Sequence, residues 1–170
     1  MDRSRFSEVL RDSFTAYYNV FPNNDESELP LDFRADYFSR AEKYWLSKKI
    51  TVWGNETNEF AYIFSDKSFD KETVDRCIEY ALNEGLPRVR PHKEHQYTNI
   101  KVIFVADSFD KDTAKHIQKK SFSKNYKFSL HGFTELKTAA VDLSEKKAYP
   151  NRAGQELTKY FSKLFAANNQ

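Results

Sequence analysis

Only four glycines occur in 170 residues, and that scarcity excludes more chemistry than any motif in the chain supplies. Walker and dinucleotide-binding loops need clustered glycines so that backbone N–H groups can close on a phosphate. Gly54, Gly85, Gly132 and Gly154 are each isolated. The Gly-x-Ser-x-Gly turn of a nucleophile elbow is missing as well. One cysteine cannot form an internal disulfide; Cys77 falls on the apolar side of a predicted helix and reads as a buried thiol in a reducing compartment. No apolar run approaches the roughly 18 residues of a membrane span. The opening MDRSRFSEVLRDSF carries charge at helical spacing where a signal peptide would be apolar. These absences lead us to expect a cytoplasmic domain with no membrane association.

What is present is aromatic and charged. Fifteen Phe, ten Tyr and two Trp supply much of the material for a core, and the length suits one domain. The net charge of +2 conceals an asymmetry. Residues 1–85 hold 11 basic against 17 acidic side chains, a balance of −6, whereas residues 86–170 hold 16 against 8, a balance of +8. Such a division either orients a surface potential or draws two halves of one domain together.

The most informative pattern is an internal repeat. AYIFSDKSFDKETVDRC, residues 61–77, returns as KVIFVADSFDKDTAKHI, residues 101–117. Each copy reads as strand, polar turn and helix, so the middle of the chain alternates β-α-β-α-β, which predicts a partly parallel sheet. Asp70 and Asp110 are placed to cap the two helices, Glu72 and Asp112 to complement the helix dipoles, and Phe69 and Phe109 to fold back on them. Ligands in open α/β sheets settle at the carboxyl ends of strands, where both turns lie, but acidic turns without glycine repel phosphate.

Around this core the spacing predicts helices over Arg3–Tyr18, Phe33–Lys48 (striped by Tyr37, Ala41, Tyr44 and Trp45 and capped by Asp32), Lys71–Glu84, Lys111–Lys120 and Arg152–Phe165. Strands are predicted over Ile50–Trp53, Glu59–Phe64, Asn99–Ala106, Tyr126–Leu130 and Glu135–Leu143, the last turning at Ser144–Lys146 into Lys147–Tyr149. Gly54, Asn55 and Asn58 suit a turn. The expected architecture is a mixed, partly parallel central sheet flanked by helices. Residues 1–32 form an N-terminal helical appendage and linker, 33–165 a single α/β domain, and 166–170 a frayed tail.

Three groups of residues carry candidate chemistry. RVRPHKEHQYTN, residues 88–99, is densely polar. His92 and His95 share a face only if the segment makes a helical turn, when Glu94 or a remote Glu59 would complete a metal shell; an extended backbone, favoured by Pro87 and Pro91, separates them. The alternative is a solvated loop. Lys115, Lys119, Lys120, Lys124 and Lys127 interleave with Phe122, Tyr126, Phe128 and Phe133, the composition of a surface that neutralises phosphates and stacks on unpaired bases. It is equally the composition of a core strand beside a solvated helix face. Glu135-Leu136-Lys137 matches the Glu-x-Lys of metal-dependent nucleases in three letters only. No cofactor is expected, with a divalent metal as the alternative, and the aromatic N-terminal helix is a candidate homo-oligomer contact.

Two resemblances follow from particular residues. The run from Tyr37 to Asn151, with Glu42-Lys43-Tyr44-Trp45, Asn58-Glu59-Phe60, Pro91-His92-Lys93-Glu94-His95 and Ala140-Val141-Asp142-Leu143, resembles an uncharacterised prokaryotic domain-of-unknown-function family. The order of elements, with Ser108-Phe109 through Lys111 to Ala114 before a helix and a Gly132 turn, is similar to the restriction-endonuclease-like fold of Mrr type. That resemblance implies a catalytic Glu-x-Lys strand. Glu59-Phe60-Ala61 has alanine in the lysine position, so Lys93 or Lys43 would have to substitute, and the resemblance then implies a non-cleaving relative. The reading from sequence is a binding domain associated with nucleic acid through its basic second half. The alternative is a metal-dependent hydrolase using Glu59, Lys93 and Glu94 with His92 and His95.

Overall fold

Strand-forming and helix-forming segments alternate along the chain, and in the computed structural model, which describes residues 1–23, 28–44 and 51–168, they build one mixed sheet between two helical layers. The helices are α1 (Arg3–Thr15), α2 (Lys71–Gly85), α3 (Lys111–Gln118) and α4 (Glu156–Ala167). The strands are β1 (Asn19–Pro22), β2 (Leu31–Tyr44), β3 (Thr51–Asp66), β4 (His95–Ala106), β5 (Ser123–Asn125), β6 (Phe133–Asp142) and β7 (Lys147–Pro150). Their order is β1-β2-β3-β4-β6-β5, with β7 also paired to β6.

The repeat forms the centre of the sheet. β3 and β4 run parallel with Ile63 beside Ile103 and Phe64 beside Phe104, and β6 continues the parallel set with Ala139 beside Ile103. Alternation then sorts the side chains. Phe60, Tyr62 and Phe64 of β3 and Ile100, Val102 and Phe104 of β4 pack beneath α2 and α3. Ala61 and Ile63 with Ile103 and Val105 meet α1 and α4 on the other face. Both faces are covered, which is why β4 reads as a nearly unbroken apolar run. The helix starts also agree with the sequence: Asp70 accepts from the Thr73 N–H at 2.7 Å, and Asp110 from the N–H groups of Asp112 and Thr113 at 3.0 and 2.9 Å. Phe69 and Phe109, the residues before each cap, stack with centroids 5.9 Å apart.

Three expectations are corrected. Residues 33–44 of the predicted second helix are strand; Trp45 to Lys48 lie outside the described residues. The aromatic spacing imitates a helix, yet Leu31, Phe33, Ala35 and Tyr37 also alternate, and pairing on both sides by β1 and β3 decides the outcome. Asp32 is consequently no helix cap; its carboxylate accepts from Ser7 Oγ and from Arg11 at 2.8 Å. The turn expected at Gly54–Asn58 is absent, because residues 51–66 are one strand paired from Tyr44–Thr51 to Leu31–Phe64; Ile50 lies outside the described residues. Finally, Tyr126–Leu130 is a loop. Asn125 already pairs with Phe133, so residues 126–132 must close the hairpin.

That closure is unusual. Lys127, Phe128 and Ser129 have successive φ values of 47°, 54° and 67°, and Gly132 follows at 76°. A Cβ on Gly132 would lie 2.4 Å from the Gln96 carbonyl oxygen, so only glycine fits. α1 is shorter than predicted and buries Phe6, Leu10 and Phe14 against Phe161 and Phe165 of α4. The described part of the 166–170 tail begins inside α4; residues 169 and 170 lie outside the described residues.

Candidate functional site

The α1/α4 face of the sheet becomes polar toward the amino ends of the parallel strands. Glu59 on β3 lies beside Asn99 on β4, which lies beside Glu135 on β6; one step along, Ala61 lies beside Lys101 and Lys101 beside Lys137. Lys101 Nζ meets the Glu59 carboxylate at 2.6 Å, and the Tyr18 hydroxyl donates to the same oxygen. Burial pushes the Glu59 carboxyl up, but the Lys101 charge and hydrogen bonds from Lys101, Tyr18 and Asn99 outweigh it and hold the group below its ordinary pKa. Burial and then Glu59 push the Tyr18 phenol up. A lysine inside NIKVIFVA was the available signal for this pair, because a charge within a buried strand requires a partner. Lys137 pairs with Glu156 at 2.7 Å.

The histidine segment works on the opposite face. His92 Nε2 is 3.0 Å from the Glu56 carboxylate, and a 2.7 Å ion pair joins Glu94 to Arg40. Hydrogen bonds from Asn58 and His92 hold the Glu56 carboxyl below its ordinary pKa against the upward push of burial. His95 is buried, with Nδ1 2.7 Å from the His131 carbonyl and Nε2 2.8 Å from Thr98 Oγ1. Both of its ring nitrogens are therefore occupied. Lys93 is exposed and has no acidic partner among the described residues. Glu59 thus does not converge with His92, Glu94 or His95; the sheet lies between them. Nor do three His, Cys, Asp or Glu side chains form a potential metal shell among the described residues. The arrangement is that of satisfied pairs.

The same face carries a second network that sequence reasoning missed. Arg88, from the turn after α2, covers the Phe60 ring at 4.0 Å and donates to Asp36. Tyr62 donates to Glu84, which also pairs with Arg34 at 2.7 Å. These contacts clamp β2, β3 and α2 together across long sequence separations that no local pattern reveals.

Of the basic candidates, Lys119 and Lys120 follow α3 beside Ser123 of β5, Lys124 and Lys127 lie on β5 and the loop after it, and Lys115 lies further back on α3, lining a pocket with Asp142 and Glu145. Lys120 pairs with Asp75 at 2.6 Å. Lys124 lies over the Tyr126 ring with its ammonium 5.6 Å from the centroid, and the Tyr126 hydroxyl is 2.9 Å from Thr134 Oγ1. Lys115, Lys119, Lys124 and Lys127 are exposed and have no acidic partner among the described residues. Beside them a cleft of about 880 Å³ is lined by Lys119, Lys120, Ser121, Ser123, Glu135 and Arg152. Its floor is fixed by Asn151, whose amide donates to the Lys120 and Leu136 carbonyls at 2.9 and 3.0 Å. Loss of hydration, and then Lys127, holds the His131 imidazole below its ordinary pKa. Phe122 is half-buried in the core beneath α2 and α3, whereas Phe128 is 100% exposed at the loop tip with Leu130 at 75%.

Two other expectations meet the geometry here. The aromatic face of α1, considered for an oligomer contact, is covered by the chain's own core, and Tyr17 remains exposed. No helix among the described residues is long and apolar enough to cross a membrane.

Neither the curated proteins nor the solved structures contain a match to this sequence. A family model does match, over residues 2–163, and so spans every element described above from α1 into α4. The chain belongs to the domain-of-unknown-function family DUF8052.

Proposed function

We propose that this domain binds nucleic acid along the edge formed by α3, β5 and the β5–β6 loop. The observation that carries the reading is the row of exposed lysines, 115, 119, 124 and 127, without acidic partners among the described residues, set beside the cleft that holds Lys120 and Arg152. On the β2 side of the sheet, by contrast, four arginines are neutralised: Arg11 by Asp32, Arg34 by Glu84, Arg40 by Glu94 and Arg88 by Asp36. Unneutralised cations in a row release counterions when they meet phosphates, which supplies affinity without sequence preference. The hydrolase alternative loses support because its members sit on two faces of the sheet and their ligating atoms are already engaged.

The reading is tested by fluorescence anisotropy with a labelled oligonucleotide at low salt. The triple variant Lys119→Glu, Lys124→Glu, Lys127→Glu is expected to lose binding, and a control reversing Lys67, Lys71 and Lys163 to retain it. A wild-type protein that leaves the oligonucleotide unbound refutes the reading.

A further inference from the structure

From the geometry of the β5–β6 loop we infer that its ligand is single-stranded, with an unpaired base laid on the ring of Phe128; this rests on the nucleic-acid reading above. Phe128 touches nothing in its own chain, being fully exposed, and Leu130 beside it is 75% exposed. A flexible loop would let two such side chains collapse onto the surface. Here the backbone holds them out. The Leu130 N–H donates to the Lys127 carbonyl at 3.0 Å, the His131 N–H to the Tyr126 carbonyl at 3.1 Å, and the Gly132 N–H to the Ser129 carbonyl at 3.2 Å. The base of the loop is pinned to β4 and β6 by the His95–His131 contact, the Tyr126–Thr134 hydroxyl pair and the close approach of Gly132 to Gln96.

Three consecutive left-handed residues without glycine oppose this conformation. Outliers of that kind persist where surrounding structure imposes them, and they concentrate at ligand contacts. An aromatic ring presented rigidly, with Lys124 and Lys127 on the strand and turn that carry it, matches the two needs of a single-strand site. The ring offers a stacking platform, and the lysines track the phosphates. A duplex keeps its bases stacked on one another and gives such a ring no face to use. A bilayer would use the same ring and charges, but interfacial binding scales with buried apolar area, and the tip offers only two large apolar side chains.

The test compares a labelled oligothymidylate with a duplex of equal length, using the full chain at low salt. Wild type is expected to prefer the single strand, and Phe128→Ala to weaken it roughly ten-fold while duplex binding is unchanged. Phe128→Trp retains the single-strand affinity, and 2-aminopurine placed in the strand is quenched by wild type but not by Phe128→Ala. Because Phe128 makes no internal contact, the melting curve of Phe128→Ala should overlay that of wild type. If Phe128→Ala binds the single strand as tightly as wild type while lysine reversal abolishes binding, the stacking inference falls and the nucleic-acid reading stands. If neither nucleic acid binds, both fall. Phe128-dependent binding to phosphatidylglycerol vesicles, without binding to either nucleic acid, would assign the loop to a lipid surface and overturn both.

Discussion

A lysine and a glutamate on adjacent strands illustrate how single residues set the stability of this sheet. Glu59 and Lys101 are each mostly buried, and their side chains retain 17% and 11% exposure. Removing the cation strands a carboxylate: Lys101→Met is expected to cost about 3 kcal/mol in urea denaturation at neutral pH. Glu59→Gln in the Lys101→Met background should return part of that loss, since the uncompensated charge is then gone. The pH dependence has a definite sign. In wild type the Glu59 pKa is lower in the folded state than in the unfolded chain, so its contribution is full above the unfolded carboxylate pKa. It is lost as pH falls through the folded value. In Lys101→Met burial, Tyr18 and Asn99 remain; burial, the largest influence, raises the folded pKa, and the Glu59 contribution to the slope is expected to reverse. A Lys101→Met protein that matches wild type in both midpoint and acid slope would remove the pair from the energetics. The thiol of Cys77, on the sheet-facing side of α2 and pushed up to about 12 by burial, is a residue whose burial was legible from apolar spacing alone.

At the scale of elements, the repeat shows why some segments were legible and others were not. α2, α3 and β4 carry their instructions locally: an Asp cap, an acidic first turn, apolar side chains at helical spacing, or an unbroken apolar run. β2 does not. Tyr37, Ala41 and Tyr44 satisfy a helix period while Leu31 to Tyr37 satisfy a strand period, and only the partners β1 and β3 choose between them. The Tyr126–Leu130 alternation misled in the opposite direction, because the β5–β6 register leaves no partner for it. The candidate site divides in the same way. The basic residues were visible as composition, but the separation of Glu59 from His92 and His95 depends on strand parity, and the exposure of Phe128 depends on loop geometry. Capping makes its own prediction here. Asp110→Ala should lower the urea midpoint and Asp110→Asn should leave it nearly unchanged, since asparagine caps as well as aspartate. If both substitutions act alike, the carboxylate charge matters more than the capping bond.

For the whole molecule, the two cores divide the work. α1 and α4 close one face and α2 and α3 the other, so β3, β4 and β6 are covered on both sides, and the surface proposed for binding is the edge left beside them. The charge asymmetry noted in the sequence is partly spent within the fold, as Lys120 with Asp75 shows, and partly left on α3, β5 and the loop after it, at Lys115, Lys119, Lys124 and Lys127. The measurement that tests this account most directly is the salt dependence of oligonucleotide binding. Four lysines meeting the phosphates of a single strand predict a slope of log K against log salt of about −3, reduced in magnitude by each charge removed. Binding that does not vary with salt, or no binding at about 50 mM salt where such contacts are strong, would contradict it.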